Sequence, residues 1–225
     1  MTDTFEHRLL IGSRDWEHVP WQETFYPHDL PADWRLTYYA NEFRVVLVPW
    51  ARLAGGQAAQ WAGDIDAGFG FICESPPGLA TPAEAQAFAD SLAPLGERCA
   101  GIRLLASAES LNRPGELDVL LGVLAARWPT SVDLAQPVSP EIDRLLRAHD
   151  CGMCWHGPPQ AADLERGRLA LAVLPSPQGD LRLLRSVVET CLAASSAGRT
   201  AALVFDGEPP DVQTMEQAGT IADLL

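Results

Sequence analysis

Four carboxylates, Asp15, Glu74, Asp133 and Asp206, end or directly follow apolar runs that have the pattern of strands. A barrel of parallel strands gathers such positions at one rim. Two or three acids there bind a divalent ion through oxygen or divide into an acid and a base. The bland alternative is ordinary solvated loop acids, in a chain that carries 30 of them. His156, beside Trp155 at the end of a short extended run, is the best-placed general base. No carboxylate near it in sequence is identifiable as its orienter, and most loop histidines are inert. Glu74, Asp133, His156 and Asp206 are thus the catalytic candidates.

A second constellation is aromatic. Trp16, Trp21, Phe25, Tyr26 and Trp50 fall on two neighbouring loops or their edges, together with Arg14 and Arg52. Guanidinium beside indole suits a planar or anionic ligand, so Arg14, Trp16, Trp50 and Arg52 form the expected ligand platform. The competing reading is that these rings fill one end of a barrel and fix its first loop. Cys151-Gly-Met-Cys154 invites a redox or zinc reading. A redox pair normally opens a helix, where the dipole lowers a thiol pKa, whereas this one overlaps an extended run. Residues three apart on a strand face opposite ways, which leaves the two sulfurs to packing. Zinc asks for more convergent ligands than the one nearby histidine, His156. No metal set and no cofactor are read from the sequence. Gly-rich phosphate loops, nucleophile elbows and His-x-x-x-His pairs do not occur.

The elements that must position these groups alternate. Apolar runs predict strands over 7–13, 45–48, 70–73, 102–106, 131–135, 152–155, 169–174 and 200–205. Between them lie helical patterns over 32–43, 57–62, 116–128, 181–194 and 215–225, with at most a turn or two around 162–166. Two further helices begin with explicit start signals. Thr81-Pro82 with Glu84 is a capping box with Pro at the first helical position, and Ser139-Pro140 repeats the cap and the Pro. Asp180 caps the helix over 181–194. Eight strand–helix units predict an α/β chain: one (β/α)8 TIM-type barrel over residues 1–225, compact, with short or missing helices in units 2, 6 and 8. An open doubly wound sheet would show the same alternation.

A chain of 225 residues carries one substantial core or at most two small ones. The net charge is −14 and every base is Arg. A field of that sign repels phosphate backbones and anionic lipid, which disfavours nucleic acid and membrane as partners. A small-molecule ligand is the expected partner, and the oligomeric state is open. The start, MTDTFEHR, lacks the pattern of a signal peptide, and no apolar run reaches the length of a membrane helix. Five cysteines at scattered spacings argue against a disulfide framework. The expected location is the reducing cytoplasm.

IGSRDW at 11–16, FYP at 25–27, LPADW at 30–34 and YYANEF at 38–43 resemble the YecE-like family (domain of unknown function 72). RL at 52–53, QW at 60–61, GFGF and ESP within 68–76, and VDLAQP at 132–137 continue the likeness in order. The resemblance implies a TIM-type barrel related in shape to the xylose isomerase and endonuclease IV group, with no settled activity. It also implies that this chain is a divergent, shortened member with a depleted mouth. Where the family carries polar groups at its strand ends, this chain has Leu47, Pro49, Leu105, Ala135, Gln136, Val173 and Pro175. Glu74 stands where the family has Lys, and Asp133 is an acid one methylene shorter than the family's Glu. The implied function is a non-catalytic or weakly catalytic binding or accessory protein. The alternative is a divalent-metal-dependent hydrolase or isomerase working through the carboxylates of the mouth.

Overall fold

The computed structural model describes residues 9–134, 138–157, 164–177, 179–195 and 199–225. The first unit comprises β1 (Leu10–Arg14), a single turn α1 (Trp21–Thr24), a 3-10 turn over Ala32–Trp34 and α2 (Arg35–Glu42). Next come β2 (Val45–Val48), α3 (Trp50–Leu53), α4 (Ala58–Asp64), β3 (Gly70–Glu74) and α5 (Pro82–Ser91). The middle of the chain is β4 (Cys99–Ala106), α6 (Ala108–Leu111), α7 (Pro114–Ala125), β5 (Thr130–Leu134) and α8 (Pro140–Ala148). It ends with β6 (Gly152–Met153), β7 (Leu169–Pro175), α9 (Leu181–Ala194), β8 (Thr200–Asp206) and α10 (Val212–Leu224).

All strand pairs are parallel, in the order β6-β5-β4-β3-β2-β1-β8-β7. The two outer strands meet through one residue: Trp155 bridges to Ala172, its N–H donating to Leu171 O and its carbonyl accepting from Val173 N. That seam turns an open sheet into an eight-stranded TIM-type barrel. It needs close backbone approach, which explains two glycines. A Cβ on Gly152 would stand 2.3 Å from Leu169 O, and one on Gly167, at φ +69°, would stand 2.2 Å from Gly152 N.

Two apolar layers hold the barrel. Leu10, Val45, Leu47, Ile72, Leu169, Leu171, Val173 and Val204 form a buried cluster of their own, the strand faces turned to the barrel interior. A larger cluster packs the opposite strand faces against the helices, with Trp16, Trp21, Tyr39, Phe71 and Phe205 among its large rings. Burial on both faces is why the strands read as continuous apolar runs.

The helix starts follow local chemistry. Thr81 Oγ1 accepts from Glu84 N while Glu84 Oε2 accepts from Thr81 N, completing the capping box of α5. Ser139 Oγ accepts from Ile142 N at the start of α8, and Asp180 accepts from the Arg182 and Leu183 amides at α9. Each such cap stabilises its helix by ~1 kcal/mol.

Three expectations are corrected. The helix expected over 32–43 divides into the 3-10 turn and α2. Unit 2 gains a second helical turn, α3, after Pro49. Unit 8 is not economical: α10 spans 13 residues because Asp211, after two prolines, accepts from Thr214 N and starts the helix early. Ala135, Gln136 and residues 162–163 of the turn expected around 162–166 lie outside the described residues. No helix among the described residues is long and apolar enough to cross a membrane.

Candidate functional site

A chain of alternating charge crosses the C-terminal mouth of the barrel. Arg14 ends β1 and donates from Nε and Nη2 to Glu74, the last residue of β3. Glu74 Oε2 also accepts from Arg103 Nη1 at 3.1 Å. Arg103 then donates from Nε to Asp133 Oδ2 at 2.8 Å, and from Nη2 to the same oxygen. Asp133 Oδ1 lies 2.8 Å from His156 Nε2, and His156 Nδ1 reaches Val173 O at 3.1 Å. Strand register supports this reach. Glu74 pairs with Arg103, Arg103 with Ser131 and Leu105 with Asp133, so alternate residues of β3, β4 and β5 project to one side.

The two ends of the chain meet solvent and the middle does not. Arg14 and His156 keep 30% and 46% of their side-chain surface exposed, against 7% for Glu74 and 15% for Asp133. Burial works to raise the Asp133 carboxyl, but the hydrogen bond with His156 and the Arg103 guanidinium outweigh it and hold Asp133 below the usual range. His156 is pushed up to about 10, first by its hydrogen bond to Asp133 and then by Cys154. Both ring nitrogens face oxygen acceptors, a carbonyl and a carboxylate, so both carry hydrogen and the ring is an imidazolium. Burial raises the Cys154 thiol. The hydroxyl of Ser131, wholly buried in register with Arg103, has no hydrogen-bond partner among the described residues.

The expected residues therefore separate into groups. Arg14, Glu74, Asp133 and His156 come together, and Asp206 acts electrostatically on Arg14 from the end of β8. Two expectations about the acids are corrected. Asp15 acts electrostatically on Arg14 as Asp206 does but makes its hydrogen bonds elsewhere: its Oδ1 accepts from the Trp16 and Glu17 amides, and its Oδ2 accepts from Arg52 Nη2 at 2.9 Å. His156 does have a carboxylate orienter, which chain order conceals because Asp133 is 23 residues away. Arg52 lies over the Trp16 ring, 4.6 Å from its centroid, and Trp16 is buried edge-on against Trp61. Trp50 packs separately against Phe88. Arg103 is the residue that sequence reasoning missed. An arginine inside the apolar run Cys99–Ala106 was the available signal, and it keeps the β4 side of the mouth polar although Leu105 is apolar.

Cys151 and Cys154 belong to different apolar clusters, Cys151 outside the barrel wall and Cys154 inside it, and both are free. Cys154 Sγ, a ring nitrogen of His156 and a carboxylate oxygen of Asp133 make up a group of ligand-type atoms within 4.8 Å of one another.

The family model described as protein of unknown function DUF72 matches residues 10–190. The chain belongs to the DUF72 family. A crystal structure of a DUF72 family protein from Thermotoga maritima MSB8 is similar over 96% of this chain and 100% of that one, at TM-score 0.68 and 14% identity. Orotidine 5'-phosphate decarboxylase from Pyrococcus horikoshii OT3 is similar at TM-score 0.49 and 10% identity, covering 81% of this chain and 87% of that one. No curated protein matches the sequence. At these identities the DUF72 likeness in structure speaks for the barrel alone.

Proposed function

We propose that this DUF72 protein binds a small anionic ligand, a phosphate ester or a carboxylate, at the C-terminal mouth of its barrel, in a non-catalytic or weakly catalytic role. One observation carries the reading: two guanidinium groups, Arg14 and Arg103, converge on the single buried carboxylate Glu74, and Arg14 faces solvent. Guanidinium is suited to planar and bidentate oxyanions. The unpartnered Ser131 hydroxyl inside the barrel adds support, because a buried polar atom is costly without a partner. In this reading Trp16, Trp50 and Arg52 frame the mouth beside β1 and β2. A cytoplasmic location belongs to the same proposal and is supported by five cysteines that are all free and buried.

A hydrolase or isomerase driven by a divalent ion on carboxylates alone has less support. Arg103 stands between Glu74 and Asp133 and neutralises both, so the acids do not converge on an ion.

The test is a thermal-shift screen with inorganic phosphate, glucose 6-phosphate, AMP and citrate, followed by titration of the hits. Arg14→Ala is expected to weaken a hit roughly ten- to a hundredfold, the loss of one charge-assisted hydrogen-bonded contact. A hit that Arg14→Ala leaves untouched, or the absence of any hit, overturns the proposal.

A further inference from the structure

We infer that Asp133, Cys154 and His156 form a site for one borderline-soft divalent transition ion, zinc first, at the mouth between β5, β6 and β7. The inference does not rest on the anion reading. It comes from a different set of atoms, and either proposal stands if the other fails.

The placement follows from strand geometry. Cys154 and His156 are two apart on the extended segment that continues β6, so their side chains share one face. The segment is held on both sides: Cys154 N donates to Val132 O, and Trp155 bridges to β7. Asp133 projects from β5, the neighbouring strand. One ligand atom from each of the three lies within 4.8 Å of the others. Around a tetrahedral ion with bonds of 2.0–2.3 Å, ligand atoms stand roughly 3.3–3.8 Å apart. The existing cluster thus closes onto an ion with small side-chain movements. Cys151 is excluded, because it packs on the other side of the barrel wall.

The surroundings orient each ligand. His156 Nδ1 donates to Val173 O at 3.1 Å, which leaves Nε2 as the ligating nitrogen. Arg103 occupies Asp133 Oδ2 and turns Oδ1 toward His156. Metal-bound histidines and carboxylates are commonly held by such outer partners. On binding, the ion replaces the His156 Nε2 proton and the Cys154 thiol proton, both released to solvent, with no change of oxidation state. Thiolate, imidazole and carboxylate together favour zinc or cobalt over magnesium, calcium or manganese, which prefer oxygen alone. Three protein ligands leave a fourth position for water or another donor.

The test uses tag-free protein stripped with a chelator and titrated with Co²⁺. The expected result is one equivalent bound, a thiolate-to-cobalt charge-transfer band in the near ultraviolet, and displacement by Zn²⁺ but not by Mg²⁺. Cys154→Ser and His156→Ala should each abolish the band and weaken binding at least tenfold, while Cys151→Ser changes neither. Circular dichroism checks the fold. If Cys154→Ser does not fold, the half-exposed His156→Ala carries the comparison. Binding without a thiolate band, a band that survives in Cys154→Ser, or no stoichiometric cobalt binding overturns the inference. Phosphate titration of His156→Ala and cobalt titration of Arg14→Ala separate this site from the anion site.

Discussion

His156 Nε2 lies 2.8 Å from Asp133 Oδ1, two residues brought from different strands to adjoining positions on the barrel mouth. The contact has consequences for charge. His156 is raised to about 10 by its hydrogen bond to Asp133 and by Cys154, while an unfolded histidine titrates near 6.5. The folded state therefore holds this proton more tightly than the unfolded one. Its contribution to stability is fully present below about pH 6.5 and is lost as pH rises through about 10. Asp133→Asn removes the charge and should return the imidazole toward its ordinary range. NMR titration of the His156 ring in parent and variant checks this, and a parent value near 6.5 would contradict it.

Arg103 is the joint of the network. Arg103→Leu leaves the buried Glu74 and the largely buried Asp133 without their shared cation, and breaking a buried ion pair by removing one partner costs ~3–5 kcal/mol. Adding Glu74→Gln to Arg103→Leu should recover part of that loss, since an amide is cheaper to bury than an unpaired carboxylate. Urea unfolding of the two variants is the measurement. Equal stability of Arg103→Leu and the parent would mean that the network contributes nothing.

The seam between β6 and β7 gives a prediction about closure. Gly152→Ala places a methyl 2.3 Å from Leu169 O, so the strands must part or the backbone must bend. Overpacking of this kind typically costs about 1–3 kcal/mol. Hydrogen exchange should accelerate at the Trp155 and Val173 amides, which bridge the seam, and stay slow at β2 and β3. An unchanged exchange pattern would show that the closure is not held there.

What was legible in the sequence was what is local. Thr81 with Glu84, Ser139 with Pro140, and Asp180 each declare a helix start within four residues, and each is found as a cap. The continuous apolar runs located the strands along the chain, but an open doubly wound sheet would show the same runs, and it was the family resemblance that implied the barrel. The network across the mouth was hidden because its links are long-range: Arg14 to Glu74 spans 60 residues and Arg103 to Asp133 spans 30. Arg103 was also hidden by phase. β4 begins at Cys99 rather than at 102, and its register with β3 shifts between Phe71 and Ile72, so which residues of β4 face inward is set by the bulge. The aromatic residues were visible as a group, but their division between core and surface depends on side-chain packing that spacing alone does not specify.

The −14 charge predicts weak interaction with nucleic acid. At about 0.15 M salt, exposed charges are screened beyond roughly 8 Å, and a local arginine pair cannot offset the repulsion along a phosphate backbone. A fluorescence-anisotropy titration with single-stranded and duplex DNA should show no submicromolar binding. Tight binding at that salt would require a basic surface that the described residues do not supply.

Arg52 and Arg14 offer the sharpest separation of packing from binding. Arg52 lies over the Trp16 ring at 4.6 Å and pairs with Asp15 at 2.9 Å, both contacts within the protein. An exposed cation–π contact stabilises by ~0.5–1 kcal/mol, and a partly exposed ion pair adds ~0–1 kcal/mol. Arg52→Ala should therefore lower stability by about 0.5–2 kcal/mol, a fall of roughly 1–8 °C in Tm for a chain of this size. Trp16 fluorescence should change as the guanidinium leaves its face. Phosphate binding is expected to change little, because the Arg52 guanidinium is already engaged by Asp15 and the Trp16 ring. Arg14→Ala should reverse the pattern, with a large loss of phosphate affinity. If Arg52→Ala abolishes a phosphate hit while Arg14→Ala preserves it, the ligand sits over the Trp16 loop and not on the charged chain across the mouth.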